Sequence, residues 1–92
     1  MKALTIISLA TAASAWTFSY TGGVRDGGGN RDACQAINHP AGDTFDWSNA
    51  WYSDCCIRLY DSSSCTNQIG FSCDDWKKKA SQAIKGWRVT NC

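Results

Sequence analysis

The chain contains no glutamate, so its eight acidic residues are all Asp. Paired-carboxylate chemistry would have to come from aspartates alone. The close pairs, Asp43 with Asp46 and Asp74 with Asp75, read more economically as turn and helix-start residues. There is one histidine, His39, and it directly precedes the one proline, Pro40. A general base needs a positioned partner, and this histidine reads as an exposed loop residue. Acid–base catalysis is therefore not expected. No C-x-x-C pair occurs, which together with the single histidine argues against structural zinc. The glycines of residues 22–29 lack the following lysine of a phosphate-binding loop, so no metal or cofactor is expected. No apolar run approaches the ~20 residues of a membrane-spanning helix, and stable membrane insertion is not expected either.

What is present begins with a targeting pattern. Lys2 supplies a positive start. Residues 3–12 are apolar except for Thr5, Ser8 and Thr11, and Ala13-Ser14-Ala15 has the small side chains that precede signal-peptidase cleavage. Residues 1–15 read as a signal peptide and residues 16–92 as a single secreted domain.

All six cysteines, Cys34, Cys55, Cys56, Cys65, Cys73 and Cys92, fall after the leader. An even number in a short exported chain is a disulfide framework, and a core this small needs one. Every thiol is then used, which leaves no cysteine nucleophile. Neighbouring residues of a strand point to opposite faces, so Cys55 and Cys56 must reach different parts of the fold. The spacing predicts Cys56 with Cys65 across a local hairpin. Cys34 and Cys55 then share Cys73 and Cys92 in either order.

Charge excludes further classes. Without Lys2 the chain carries eight basic residues against eight Asp. Nucleic-acid binders and membrane-active cationic peptides usually show a basic excess, so neither partner is expected. Lys77-Lys78-Lys79 is the one basic run.

The pattern along the chain mixes strands with helices. Trp16, Phe18 and Tyr20 alternate with Thr17, Ser19 and Thr21, a strand with one buried face. Residues 22–30, with five glycines beside Arg25, Asp26 and Asn30, read as a wet surface loop. Residues 31–38 predict two helical turns that carry Cys34 and Ile37 inward and stop at Pro40. Phe45 and Trp47 alternate again, with a bend at Ser48-Asn49. Cys56 to Tyr60 is a strand with Ile57 and Leu59 on one face and Arg58 and Tyr60 on the other, and Asp61 to Ser64 turn it toward Cys65. Ser72 with Asp75 resembles a capping box. Cys73, Trp76, Ala80, Ala83 and Ile84 then fall at helical spacing, and Gly86 sits where a C-terminal glycine stop belongs. Residues 87–91 make a last short strand, and Cys92 pins the chain end.

Five tryptophans are many for this length. Trp16, Trp47, Trp76 and Trp87 lie at core-facing spacing. Trp51 and Tyr52 are the candidates for an exposed binding surface, where aromatics stack on sugars or anchor a protein interface. Lys77 and Lys78 are the candidates for contact with an acidic partner surface.

The segment Cys55 to Asp61, with Cys65, Cys73 and Ile84 to Val89, resembles a recurrent layout of small cysteine-rich proteins secreted by filamentous fungi. The same layout is similar to the Greek-key motifs of βγ-crystallins, where an aromatic is followed seven residues later by a left-handed glycine. Tyr20 with Gly27 has that spacing, and Tyr60 with Asn67 repeats it with Asn in the glycine position. The calcium signature of crystallins is not evident. The resemblance implies a small disulfide-rich α+β fold, antiparallel and Greek-key-like, with one helix in the C-terminal half. A ferredoxin-like βαββαβ sandwich, as in killer-toxin-like proteins, is the alternative. It also implies an extracellular, monomeric effector that binds a host protein or cell-wall glycan during colonisation, as a virulence factor. The rival functions are an antimicrobial or killer-type toxin and an inhibitor of secreted hydrolases.

Protein recovered from the medium of a secreting host is expected to begin at Trp16. Its intact mass should fall short of the reduced form by six hydrogens. N-terminal sequencing and mass spectrometry before and after reduction check both.

Overall fold

A computed structural model describes residue 15 to residue 28, residues 31–50 and residues 53–92. The proposed leader, apart from Ala15, lies outside the described residues. Eight strands form two four-stranded sheets: β1 (Trp16–Tyr20), β2 (Val24–Gly28), β3 (Arg31–His39), β4 (Thr44–Asn49), β5 (Cys56–Tyr60), β6 (Gln68–Ser72), β7 (Trp76–Lys79) and β8 (Ile84–Thr90). Sheet A runs β2-β1-β4-β7 and sheet B runs β3-β8-β5-β6. Every strand pair is antiparallel.

The order shows an internal duplication. In each half of the chain the first two strands form a hairpin and the fourth returns beside the first, the Greek-key path. The third strand of each half crosses to the other half's sheet. One constant offset takes Tyr20, the last residue of β1, to Tyr60, the last of β5, and takes Trp47 of β4 to Trp87 of β8.

The alternation in β1, β4 and β5 makes the core. Trp16, Phe18, Phe45, Trp47, Ile57, Leu59, Ile84, Trp87 and Val89 are all buried between the sheets. Trp87 of sheet B is fully buried and lies 5.6 Å from Trp16 and 5.1 Å from Phe18 of sheet A, centroid to centroid. Trp16 lies 5.3 Å from Trp47. Such tilted and edge-on ring contacts stabilise by about 0.5–1.5 kcal/mol each beyond area burial. The Arg31 guanidinium lies over both Trp16 and Trp87, at 5.7 and 5.8 Å, and donates to the Gly27 carbonyl at 3.1 Å.

Several sequence readings are corrected. No α-helix occurs among the described residues, which also removes the ferredoxin-like alternative and the helix of the C-terminal half. Residues 31–38 belong to β3, bonded to β8 through two register shifts. The segment after Ser72 is β7, the start of β8 and the turn between them. Trp76 packs on Phe45 at 4.9 Å, and Ala80 exchanges backbone hydrogen bonds with Gly42 and Asp43. Two inward positions separated by a turn reproduce helical spacing by chance, and tertiary pairing overrides propensity. The glycine-rich stretch is a 3-10 turn at Thr21–Gly23 followed by β2, not a loop up to its last described residue, Gly28. Left-handed backbone falls at Gly22, Gly23, Gly28 and Gly42, and at Cys65 and Asn91. Gly27 and Asn67, which carry the crystallin spacing, are not among these positions.

The disulfides are Cys34–Cys65, Cys55–Cys92 and Cys56–Cys73. Cys55 and Cys56 do part to different partners, and Cys55–Cys92 is one of the two expected orders. Cys56–Cys65 is not formed. Cys56 leaves β5 on its outer face and meets the chain where it exits β6, whereas Cys65 lies in the β5–β6 loop, which folds over β8 toward Cys34.

Gly86 explains how that loop lies down. It is buried under the crossing, and a methyl group there would stand 2.6 Å from the Ser62 carbonyl, 2.9 Å from Cys65 Sγ and 3.2 Å from Cys34 Sγ. Gly86 is therefore a close-approach glycine within β8, not a helix stop. Gly86→Ala is expected to destabilise by about 1–3 kcal/mol in urea unfolding. The cost should shrink when Cys34 and Cys65 are both replaced by Ala, because the released loop can lift.

Candidate functional site

His39 ends β3 and is fully buried, so the reading as an exposed loop residue is corrected. Its Nδ1 accepts from the Thr21 backbone N–H at 2.9 Å, and its Nε2 donates to the Asp43 carbonyl at 3.0 Å. These partners fix the Nε2–H tautomer. The Asp43 carboxylate accepts from the Thr21 hydroxyl, which closes the ring of contacts. His39 thus fastens the β1–β2 turn to the β3–β4 turn and is a structural residue.

A second polar knot sits at the junction of the halves. Asn49 donates from its side chain to the carbonyls of Cys55 and Cys73, and accepts from the Ser53 hydroxyl. Its backbone N–H donates to Asp75 at 2.9 Å. Asp75 is therefore not a helix-start residue but a clamp on the end of β4.

Of the residues singled out in the sequence, Trp51 and Tyr52 lie outside the described residues. Lys77 and Lys78 are both exposed, on the edge strand β7. Strand alternation turns them to opposite faces, so they do not form one basic face. Lys78 shares the core-facing side with Trp76, and its ammonium lies 6.0 Å from that ring. It stands at the mouth of a cleft of about 40 Å³ lined by Phe45, Leu59, Ile69, Trp76 and Ile84, too small for more than a water or two. Lysines on an edge strand also discourage pairing with another sheet.

A different surface emerges on the outer face of sheet B. Because Ile57 and Leu59 point inward, Arg58 points outward, and it stands opposite Arg88 of β8 and Phe71 of β6. Directly opposed residues have Cα atoms only ~4.5–5.5 Å apart, so the two arginines rise from neighbouring positions on one face. Arg58 is held by three contacts: Nε donates to Thr90 Oγ1 at 3.2 Å, Nη1 donates to Gln68 Oε1 at 3.1 Å, and its carbon centre lies 4.6 Å over the Phe71 ring. Arg88 lies 5.7 Å over Tyr60, and its Nε is shielded from solvent with no hydrogen-bond partner among the described residues. Phe71 is 46% exposed. The sequence showed Arg58 and Arg88 as isolated charges, and only the strand register brings them together.

The Cys34–Cys65 crossing bounds this patch. Beyond Gly86, away from Arg88, an open groove of about 550 Å³ lies between β3 and the β5–β6 loop, lined by Ile37, Asn38, Asp61, Ser62 and Lys85. Lys85 donates to Asn38 at 3.2 Å there, and Asn67 donates to Asp61 at 2.7 Å.

His39→Leu is expected to cost about 1–3 kcal/mol for each of the two backbone groups it leaves unpaired. An exposed loop residue would change stability by no more than ~0.5 kcal/mol. Urea unfolding of the oxidised protein separates the two.

Compared with known proteins, the chain matches no family model, no curated protein and no solved structure.

Proposed function

We propose that this chain is a secreted, non-catalytic binding protein that acts on a host target in the manner of the fungal effectors its C-terminal half resembles. The observation that carries the reading is the outer face of sheet B, where an oriented Arg58, the neighbouring Arg88 and an exposed Phe71 sit on a disulfide-tied sheet. A preorganised patch of this kind lowers the ordering cost of association. Arg and aromatic residues are also the side chains that most often dominate binding energy.

Two further observations support binding rather than turnover. His39 uses both ring nitrogens inside the fold, and all six cysteines are paired. The disulfides are consistent with an oxidising extracellular compartment. No helix among the described residues is long and apolar enough to cross a membrane. The exchange of third strands between two Greek keys supports the βγ-crystallin-like reading of the fold, whereas Gly27 and Asn67 themselves are not left-handed.

Bacteria and fungi grown with the purified oxidised protein, beside a reduced and alkylated control, are expected to grow normally at high micromolar dose. Growth inhibition by the oxidised form alone would make the protein a toxin directed at competing microbes and overturn the host-directed reading.

A further inference from the structure

We propose that the arginine patch on sheet B binds the anionic groups of an acidic polysaccharide, with one oxyanion bridging Arg58 and Arg88. This deepens the reading of the chain as a binding protein and rests on it.

Like charges placed directly opposite on neighbouring strands repel one another. Neither Arg58 nor Arg88 forms an ion pair with a carboxylate among the described residues; each lies instead over an aromatic ring. Arg58 is already oriented by Thr90, Gln68 and Phe71. Arg88 keeps a desolvated Nε–H without an acceptor. An oxyanion seated between the two would offset that repulsion and receive charge-assisted hydrogen bonds from the Nη groups of each guanidinium that Thr90 and Gln68 do not already engage.

The surroundings favour a sugar as the bearer of the charge. Around the two cations lie a hydroxyl, a side-chain amide and aromatic rings rather than further lysines. A polyanion such as nucleic acid would call for a longer basic track. Arg58 covers one face of Phe71, and the ring stays 46% exposed for apolar contact with a pyranose. A uronate carboxylate and a sulfate ester present the same oxyanion chemistry here.

The test titrates purified oxidised protein with a uronic-acid oligosaccharide, a sulfated oligosaccharide, a neutral oligosaccharide and an Asp-rich peptide. Calorimetry and the side-chain Nε–H resonances of 15N-labelled arginine report binding. At least one acidic oligosaccharide is expected to bind and to move the Arg88 Nε–H signal. Arg88→Gln should weaken that binding at least about tenfold, and Arg88→Lys should recover only part of it, because an ammonium lacks the fork. Lys77→Gln, on the other sheet, should change binding less than ~twofold. The inference is overturned if neither acidic oligosaccharide binds, if the neutral one binds equally well, if only the peptide binds, or if the Arg88 Nε–H signal stays still. Any of these with normal microbial growth removes the sugar site alone, whereas growth inhibition by the oxidised protein removes the host-directed reading itself.

Discussion

The contact of Trp87 with Trp16 and Phe18 sets the position of nearly everything else. Among the described residues each sheet has only the other to pack against, so the apolar faces of both meet in one core, and the largest side chain of β8 lies at its centre. Once Trp87 points inward, the period of two along a strand leaves no choice for its neighbours. Gly86 and Arg88 must face outward. Gly86 then supplies the gap into which the β5–β6 loop settles, and Arg88 arrives opposite Arg58. A one-residue slip of β8 would expel the indole, bury the guanidinium and remove the seat of the Cys34–Cys65 bridge together.

The disulfides divide the remaining work. Cys55–Cys92 joins the entrance of β5 to the end of the chain, and Cys56–Cys73 ties β5 to the exit of β6. Both lie within the second half. Cys34–Cys65 is the one that links the halves, from β3 to the β5–β6 loop. Each typically contributes about 2–4 kcal/mol by restricting the unfolded chain. Among the described residues the first half has no bridge of its own. Its turns are instead held by His39, whose ring joins Thr21 to Asp43, and by the Arg31 guanidinium over the tryptophans.

The proposed binding face follows from the same constraints. Sheet A offers outward lysines on an edge strand, and sheet B offers two arginines on central strands whose backbones are bonded on both sides. Side chains on central strands lose little further freedom when a ligand arrives, and Arg58 is already oriented. The oxidised framework therefore holds the proposed binding face in shape as well as supplying stability.

The amino-acid sequence by itself determined the alternation of β1, β4 and β5, the turn after Tyr60, the core role of Trp16, Trp47, Trp76 and Trp87 and the division of Cys55 from Cys56. These are local consequences of side-chain period and need no knowledge of partners. Tertiary structure decided what depends on contacts distant in the chain. β3 and β7 are strands because β8 and β4 bond to them, although their apolar residues fall at helical spacing. His39 is buried because Thr21, Asp43 and Phe45 close around it, which no neighbour in sequence announces. The bridge from Cys34 to Cys65 depends on the loop crossing at Gly86. The pairing of Arg58 with Arg88 depends on the register of two strands separated by two others. Period is written in consecutive residues, whereas register and strand exchange are chosen by the one packing that buries every large ring at once.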